Sequence, residues 1–182
     1  AAIHRIFKQK GFKKIIIVNK KKLNLLDQQN VHDYLMKSIE NLPVDIFVSV
    51  AAISDWMSKK IVANKIKKNK SKKINFSFVQ NVDVLKEICN HKLRPKLVIG
   101  FSAETKNLIT YSKKKLLDKG CDWILANNIS NKSGFNSDMN KVCFMTEEKA
   151  IQWKMMNKKN VSKKLVKKIV SFFKKDKLMS YE

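Results

Sequence analysis

Three short, nearly continuous apolar runs set the strongest limit on how this chain folds: Asp45 to Ala52 (DIFVSVAA), Lys96 to Phe101 (KLVIGF) and Asp122 to Ala126 (DWILA). A strand with one wet face alternates apolar and polar residues, so a run without alternation reads as a strand covered on both faces by helices. Ile15 to Val18 is a fourth run of this kind, rich in β-branched residues. Helical spacing fills the gaps, from about Val31 to Leu42, Val82 to Asn90 and Thr105 to Lys119, the last ended by Gly120. Ala2, Ile3, Ile6 and Phe7 also fall at helical spacing, with Gly11 placed where a left-handed cap would sit. Ile74 to Val79 alternates as a strand, Lys141 to Thr146 reads as a weak edge strand, and Val161 to Lys175 as a lysine-rich amphipathic closing helix. Strand and helix in alternation predict an α/β fold: a three-layer Rossmann-like domain with a largely parallel sheet.

With 182 residues, 44% hydrophobic and 30% charged, the chain can bury one core and is not a disordered polymer. Its apolar runs fall far short of the ~20 residues that cross a bilayer, and it shows no secretory-signal pattern. No membrane role is expected, and the expected location is cytoplasmic. Cys89, Cys121 and Cys143 are odd in number and form no CxxC pair, so neither a disulfide framework nor a zinc site is implied. His4, His32 and His91 are scattered, with no carboxylate or cysteine at ligand spacing, and no metal-ligating residue is assigned.

The net charge of +24 first suggests a polyanionic partner. Yet 37 of the 39 basic residues are lysine, only Arg5 and Arg94 being arginine, whereas readers of base edges rely on the arginine fork. Lysine, isoleucine and asparagine, all with AT-rich codons, supply 72 of the 182 residues, so genomic base composition accounts for much of the charge. Specific nucleic-acid reading is not expected. A basic nucleic-acid-binding module, or an inactive paralogue, stands as the alternative to the reading below.

Ligands of open α/β sheets bind beyond the carboxyl ends of the strands. There this chain places Ile53-Ser54-Asp55-Trp56, Gly100-Phe101-Ser102-Ala103-Glu104-Thr105 and Ala126-Asn127-Asn128-Ile129-Ser130, small or polar segments that let a ligand approach the backbone. None of the four glycines forms a phosphate-binding GxGxxG or GxxxxGK loop.

Six segments in one order carry a resemblance: Ala51 to Trp56, Asn64 to Lys68 (NKIKK), Gln80 to Leu85, Gly100 to Thr105, Ala126 to Asn128, and Gly134 to Asn140. Together they resemble phosphopantothenate-cysteine ligase, the coenzyme A biosynthesis enzyme that in most bacteria is the C-terminal half of a bifunctional flavoprotein. The resemblance covers nearly all of residues 1 to about 146. It departs from the family's Lys-Asn-Pro-Asp at Gln80-Asn81-Val82-Asp83, and from Ala-Asn-Asp at Ala126-Asn127-Asn128.

The resemblance implies a reaction. An acyl-cytidylate forms from 4'-phosphopantothenate and CTP, and the amine of cysteine then displaces CMP to give an amide. It implies Mg2+ as cofactor, CTP as co-substrate, a homodimer, and a flavin-dependent decarboxylase half upstream in the full gene product, so that FMN is not expected on this chain. By the same resemblance Lys65 serves the acyl-nucleotide stage as the catalytic lysine. Ser49, Val50, Ala51, Asp55, Lys65, Val82, Asp83, Val84, Leu85, Phe101, Lys115 and Lys119 face the nucleotide. The i, i+4 spacing of Lys115 and Lys119 puts both ammonium groups on one helix face. Residues 1–182 are expected to form one ligase-type domain, with a flexible flap at 59–73 and a C-terminal helical extension at 147–182. The family's first strand, its Gly-rich loop and an asparagine of the acyl-nucleotide step have no counterpart, so little ligase activity is expected if this is the whole polypeptide.

Overall fold

The computed structural model describes residues 2–12, 15–18, 23–24, 27–50, 55–59, 75–129 and 138–179. Among these residues the main sheet has five strands, in the order β1 (Ile46–Val48), β4 (Leu97–Glu104), β5 (Trp123–Asn128), β7 (Val142–Met145), β8 (Ala150–Gln152). The first three are parallel, with Ile46 opposite Leu97 and Ile99 opposite Trp123, and β7 and β8 add on antiparallel. Two-residue strands β6 (Met139–Asn140) and β9 (Met156–Asn157) pair separately, and β2 (Trp56–Ser58) pairs with β3 (Phe78–Gln80) as an antiparallel ribbon.

Helices cover both faces. Leu97, Ile99, Trp123, Leu125, Val142 and Phe144 point toward α1 (Ala2–Gln9) and α5 (Lys158–Met179), where Ile6, Phe7, Leu165, Val166 and Ile169 meet them. Their neighbours Val98, Ile124, Ala126, Cys143 and Met145 point the other way, against α2 (Gln28–Asn41), α3 (Val84–Asn90) and α4 (Leu108–Lys119). Period-two alternation therefore loads two cores from one set of strands, which is why the runs read as unbroken apolar sequence. The predicted three-layer α/β architecture is borne out. Gly120 ends α4 with φ 72°, a left-handed conformation open to glycine at little cost.

Three expectations change. Ile15 to Val18 is not a strand: it pairs with no described strand, and while Ile15 packs on the α1 and α5 core, Ile16 is 45% exposed. Apolar sequence marks a segment for burial but does not by itself set ladder hydrogen bonds. The segment at 141–146 is not an edge strand, because β8 lies outside β7 and all four β7 residues are buried. Finally, 147–182 is more than a helical extension. It supplies β8 and β9 before α5 begins, and Leu165, Val166 and Ile169 of α5 are fully buried. The lysines of α5 partly serve that packing. Lys164 lies over the Trp153 ring and Lys168 over Phe144, at 4.7 and 4.6 Å from the ring centroids. Burial first, and the nearby Lys149 and Lys164 next, push the Lys168 ammonium below its usual pKa.

Candidate functional site

The last residues of β4 leave the core and turn polar. Ser102 and Glu104, two residues apart, share the strand face that α4 covers. Buried Ser112 of α4 donates to Ser102 Oγ at 3.2 Å, and Ser102 Oγ donates to Glu104 Oε1 at 2.6 Å. Lys115 Nζ reaches the same oxygen at 2.8 Å. Burial acts to raise the Glu104 pKa, but the hydrogen bonds from Lys115 and Ser102 outweigh it and hold the carboxyl below its usual range. The turn before α4 contains Asn107 at φ 47°, a left-handed conformation that asparagine tolerates better than most residues.

One turn further along α4, Lys119 Nζ stands 3.0 Å from Asp83 Oδ2. Asp83 is also the N-cap of α3, its Oδ1 accepting from the Lys86 N–H at 3.2 Å, so one carboxylate fixes a helix start and a lysine together. Leu85 packs on Gly100 so closely that a Cβ there would stand 2.9 Å from Leu85 Cδ2. Glycine at this point leaves room for the Leu85 side chain against β4. Just before α3, the Asn81 N–H donates to the Asp55 carbonyl at 2.9 Å, which joins the head of the β2–β3 ribbon to the same turn. The Ser49 N–H donates to the Ile99 carbonyl at 2.9 Å, carrying the line of β1 alongside β4 to exposed Val50.

Much of the predicted set is thereby linked. Asp55 joins Asn81, Asp83 joins Lys119, Leu85 touches the glycine beside Phe101, and Lys115 stands on Glu104. Val82 is exposed, whereas Val84 is buried in the helix-side core, so its side chain is a packing group. Phe101 shares the strand end but packs toward the α1 and α5 core, on the opposite face from Lys115. Ala51 and Lys65 lie outside the described residues, as does nearly all of the expected flap at 59–73. Glu104, Ser102 and Ser112 were not among the predicted residues. The alternation inside Gly100 to Thr105 carried the signal for the first two, since it sets Ser102 and Glu104 side by side on one face. Among the described residues no three His, Cys, Asp or Glu side chains stand grouped to hold a metal ion, and no helix is long and apolar enough to cross a membrane.

A three-layer α/β domain with its polar residues gathered past the carboxyl ends of parallel strands belongs to the Rossmann-like class. Residues 13–173 match the family described as DNA/pantothenate metabolism flavoprotein C-terminal domain, and the chain belongs to that family. This bears out the resemblance read from the sequence. The chain is 37% identical over 124 residues to the coenzyme A biosynthesis bifunctional protein CoaBC of Borreliella burgdorferi, covering 68% of this chain and 31% of the relative. It is 27% identical over 158 residues to the CoaBC of Haemophilus influenzae, covering 86% and 38%. The fold is shared with the crystal structure of the C-terminal domain of CoaBC, at a TM-score of 0.60 and 24% identity over 81% of this chain and 63% of that one. It is also shared with the DNA/pantothenate metabolism flavoprotein from Streptococcus pneumoniae, at 0.66 and 12% over 94% and 86%. The chain spans about a third of the length of the curated relatives it matches.

Proposed function

We propose that this chain supplies the phosphopantothenate-cysteine ligase domain of coenzyme A biosynthesis. The observation that carries the reading is the pair Lys115 and Lys119, set on one face of α4 and delivered to the strand ends beside the turn that starts α3. The carboxylate of 4'-phosphopantothenate attacks the α-phosphoryl group of CTP, pyrophosphate leaves, and the amine of cysteine then displaces CMP. Both steps gather negative charge, so the work of the protein is to aim cations at the phosphates and hold the reactants in line. Lys115 and Lys119 take the phosphate charge, Lys65 acts at the acyl-nucleotide stage, and Ser49 to Ala51, Asp55, Val82 to Leu85 and Phe101 border the nucleotide.

Magnesium fits this site as a companion of the triphosphate. Such ions are commonly held by one or two carboxylates plus phosphate oxygens, and exposed Asp55 can offer one carboxylate. The bound ion would neutralise phosphate charge. We place the flavin-dependent decarboxylation on the other part of the bifunctional relatives, the reaction in the cytoplasm, and a second copy of the chain on the exposed apolar ribbon β2–β3. Exposed Trp56, Phe76 and Phe78 support that last assignment.

Thermal unfolding in the presence of CTP, ATP or a short DNA duplex at two salt concentrations tests the reading. Selective stabilisation by CTP is expected, weakened in Lys115→Ala and Lys119→Ala. Stabilisation by duplex alone, falling steeply with salt, would replace it with a basic nucleic-acid-binding surface.

A further inference from the structure

Two buried thiols that lie far apart in sequence meet in the helix-side core. Cys89, on the last turn of α3, and Cys121, in the turn from α4 to β5, share a hydrogen bond with their Sγ atoms 3.8 Å apart. The backbone comes close as well: a Cβ on Gly120, the residue before Cys121, would stand 3.5 Å from Cys89 Cβ. One side of the pair is held and the other can move. Arg94 donates to the Gly120 carbonyl at 3.2 Å and to Asp122 Oδ2 at 2.9 Å, and Asp122 accepts from the Val98 N–H at 2.7 Å, so both neighbours of Cys121 are tied to the start of β4. Cys89 stands one residue from the end of α3, where helices fray. The shared hydrogen bond lowers the Cys89 pKa from the ordinary thiol value and raises that of Cys121; burial opposes the first shift, which Arg94 assists, and adds to the second. The pair is thereby divided into an attacking and a resolving thiol. Cys143, in the same core, shares no such bond, and burial pushes its thiol up.

We infer that Cys89 and Cys121 form a site of reversible oxidation, at which peroxide converts the thiol pair into a disulfide that staples α3 to the α4–β5 turn. The inference stands apart from the ligase reading. The Cys89 thiolate attacks one peroxide oxygen, the O–O bond breaks, and the departing hydroxide recovers the Cys89 proton as water, leaving sulfenic acid on Cys89. Cys121 then attacks that sulfur. The S–S bond forms, the S–O bond breaks, and the hydroxide leaves with the Cys121 proton as a second water. The two sulfurs give up two electrons, and peroxide takes them. The oxidant must be small, because the two residues are only 7% and 5% exposed. Bonding draws the sulfurs in to about 2.0 Å, an approach that the end of α3 can supply. Asp83 already caps the other end of α3, so the staple holds this seven-residue helix at both ends.

Treatment of the full chain with equimolar hydrogen peroxide tests this, read by intact mass and by peptide mapping without reductant. The folded wild type is expected to lose two hydrogens and to yield a peptide linked through Cys89 and Cys121, and dithiothreitol is expected to reverse both. Hydrogen exchange of the α3 amides should slow by about tenfold in the oxidised form. Cys143→Ser should leave the bond unchanged. Cys121→Ser should stop at a sulfenic acid on Cys89 that dimedone traps, whereas Cys89→Ser should react at least about tenfold more slowly. The wild type carries the linkage result by itself, so a variant that fails to fold leaves the test intact. A bond that forms as readily in the urea-unfolded chain, a link through Cys143, or sulfinic acid on single cysteines in place of the bond overturns the inference.

Discussion

The central strands and the β2–β3 ribbon are made of similar residues and end in opposite surroundings. Leu97 to Gly100, Trp123 to Ala126 and Val142 to Met145 are buried, while Trp56 and Phe78 of the ribbon are 58% and 60% exposed. Both have paired backbones. What separates them is layering: helices close over both faces of the sheet, whereas no residue of the ribbon belongs to either core. Backbone pairing satisfies polar groups, but only a second layer removes apolar side chains from water, so stability resides in the sheet and the ribbon is surface.

Leu165→Ala should break the sheet side of this contrast most severely. Truncating a fully buried leucine costs about 2–5 kcal/mol, read as a lower urea midpoint with little change in slope. An unchanged midpoint would mean that α5 is not part of the folded unit. Gly100→Ala comes next, at no more than about 1 kcal/mol, because its Cβ meets only the end of the half-buried Leu85 side chain, which can turn aside. Adding Leu85→Ala should cost less than the two separate losses combined, and simple additivity would show that the close approach does not matter. On the ribbon, Trp56→Ser with Phe78→Ser should change the unfolding free energy of the monomer, compared at concentrations too low for dimer, by less than about 0.5 kcal/mol for each exposed position. The same variant should shift sedimentation toward monomer, and a large loss of stability instead would place the ribbon within the folded core.

The smallest effect lies in the pH dependence of the Lys115–Glu104 pair. Folding lowers the Glu104 pKa from its ordinary 4.5, so the pair contributes stability above that value and loses it as pH falls through the depressed folded value. The stability gap between wild type and Glu104→Gln should therefore narrow below about pH 4.5 in urea titrations. A gap that stays constant with pH would show that the pair contributes nothing to folding.

What was legible in the sequence follows the same division. β4, β5 and α4 could be read because their apolar patterns answer to layers on both sides, and Gly120 marked its helix end through backbone conformation alone. β7 was misplaced at an edge, since Val142, Cys143, Phe144 and Met145 serve two cores by turns and their mixed sizes imitate weak alternation. Ile15 to Val18 misled in the other direction, because composition signals a wish for burial and says nothing of a pairing partner. At the site, motif order located the strand ends, but orientation was not legible. Phe101 turns to one face and Glu104 to the other, and only the position of α4 shows which of them meets the lysines.

The two margins of the main sheet differ in a way that limits how the rim of the pocket can be enlarged. β8 closes one margin with three exposed residues set between Lys149 and Lys154, a guarded end of the kind that resists docking by another chain. Among the described residues β1 forms the other margin, with half-buried Ile46, Phe47 and Val48 flanked by Asp45 and Ser49. A further strand would therefore meet less opposition on the β1 flank than on the β8 flank. Because β1 leads straight to Ser49 and Val50, any such addition lengthens the wall nearest the proposed nucleotide and leaves the far wall unchanged.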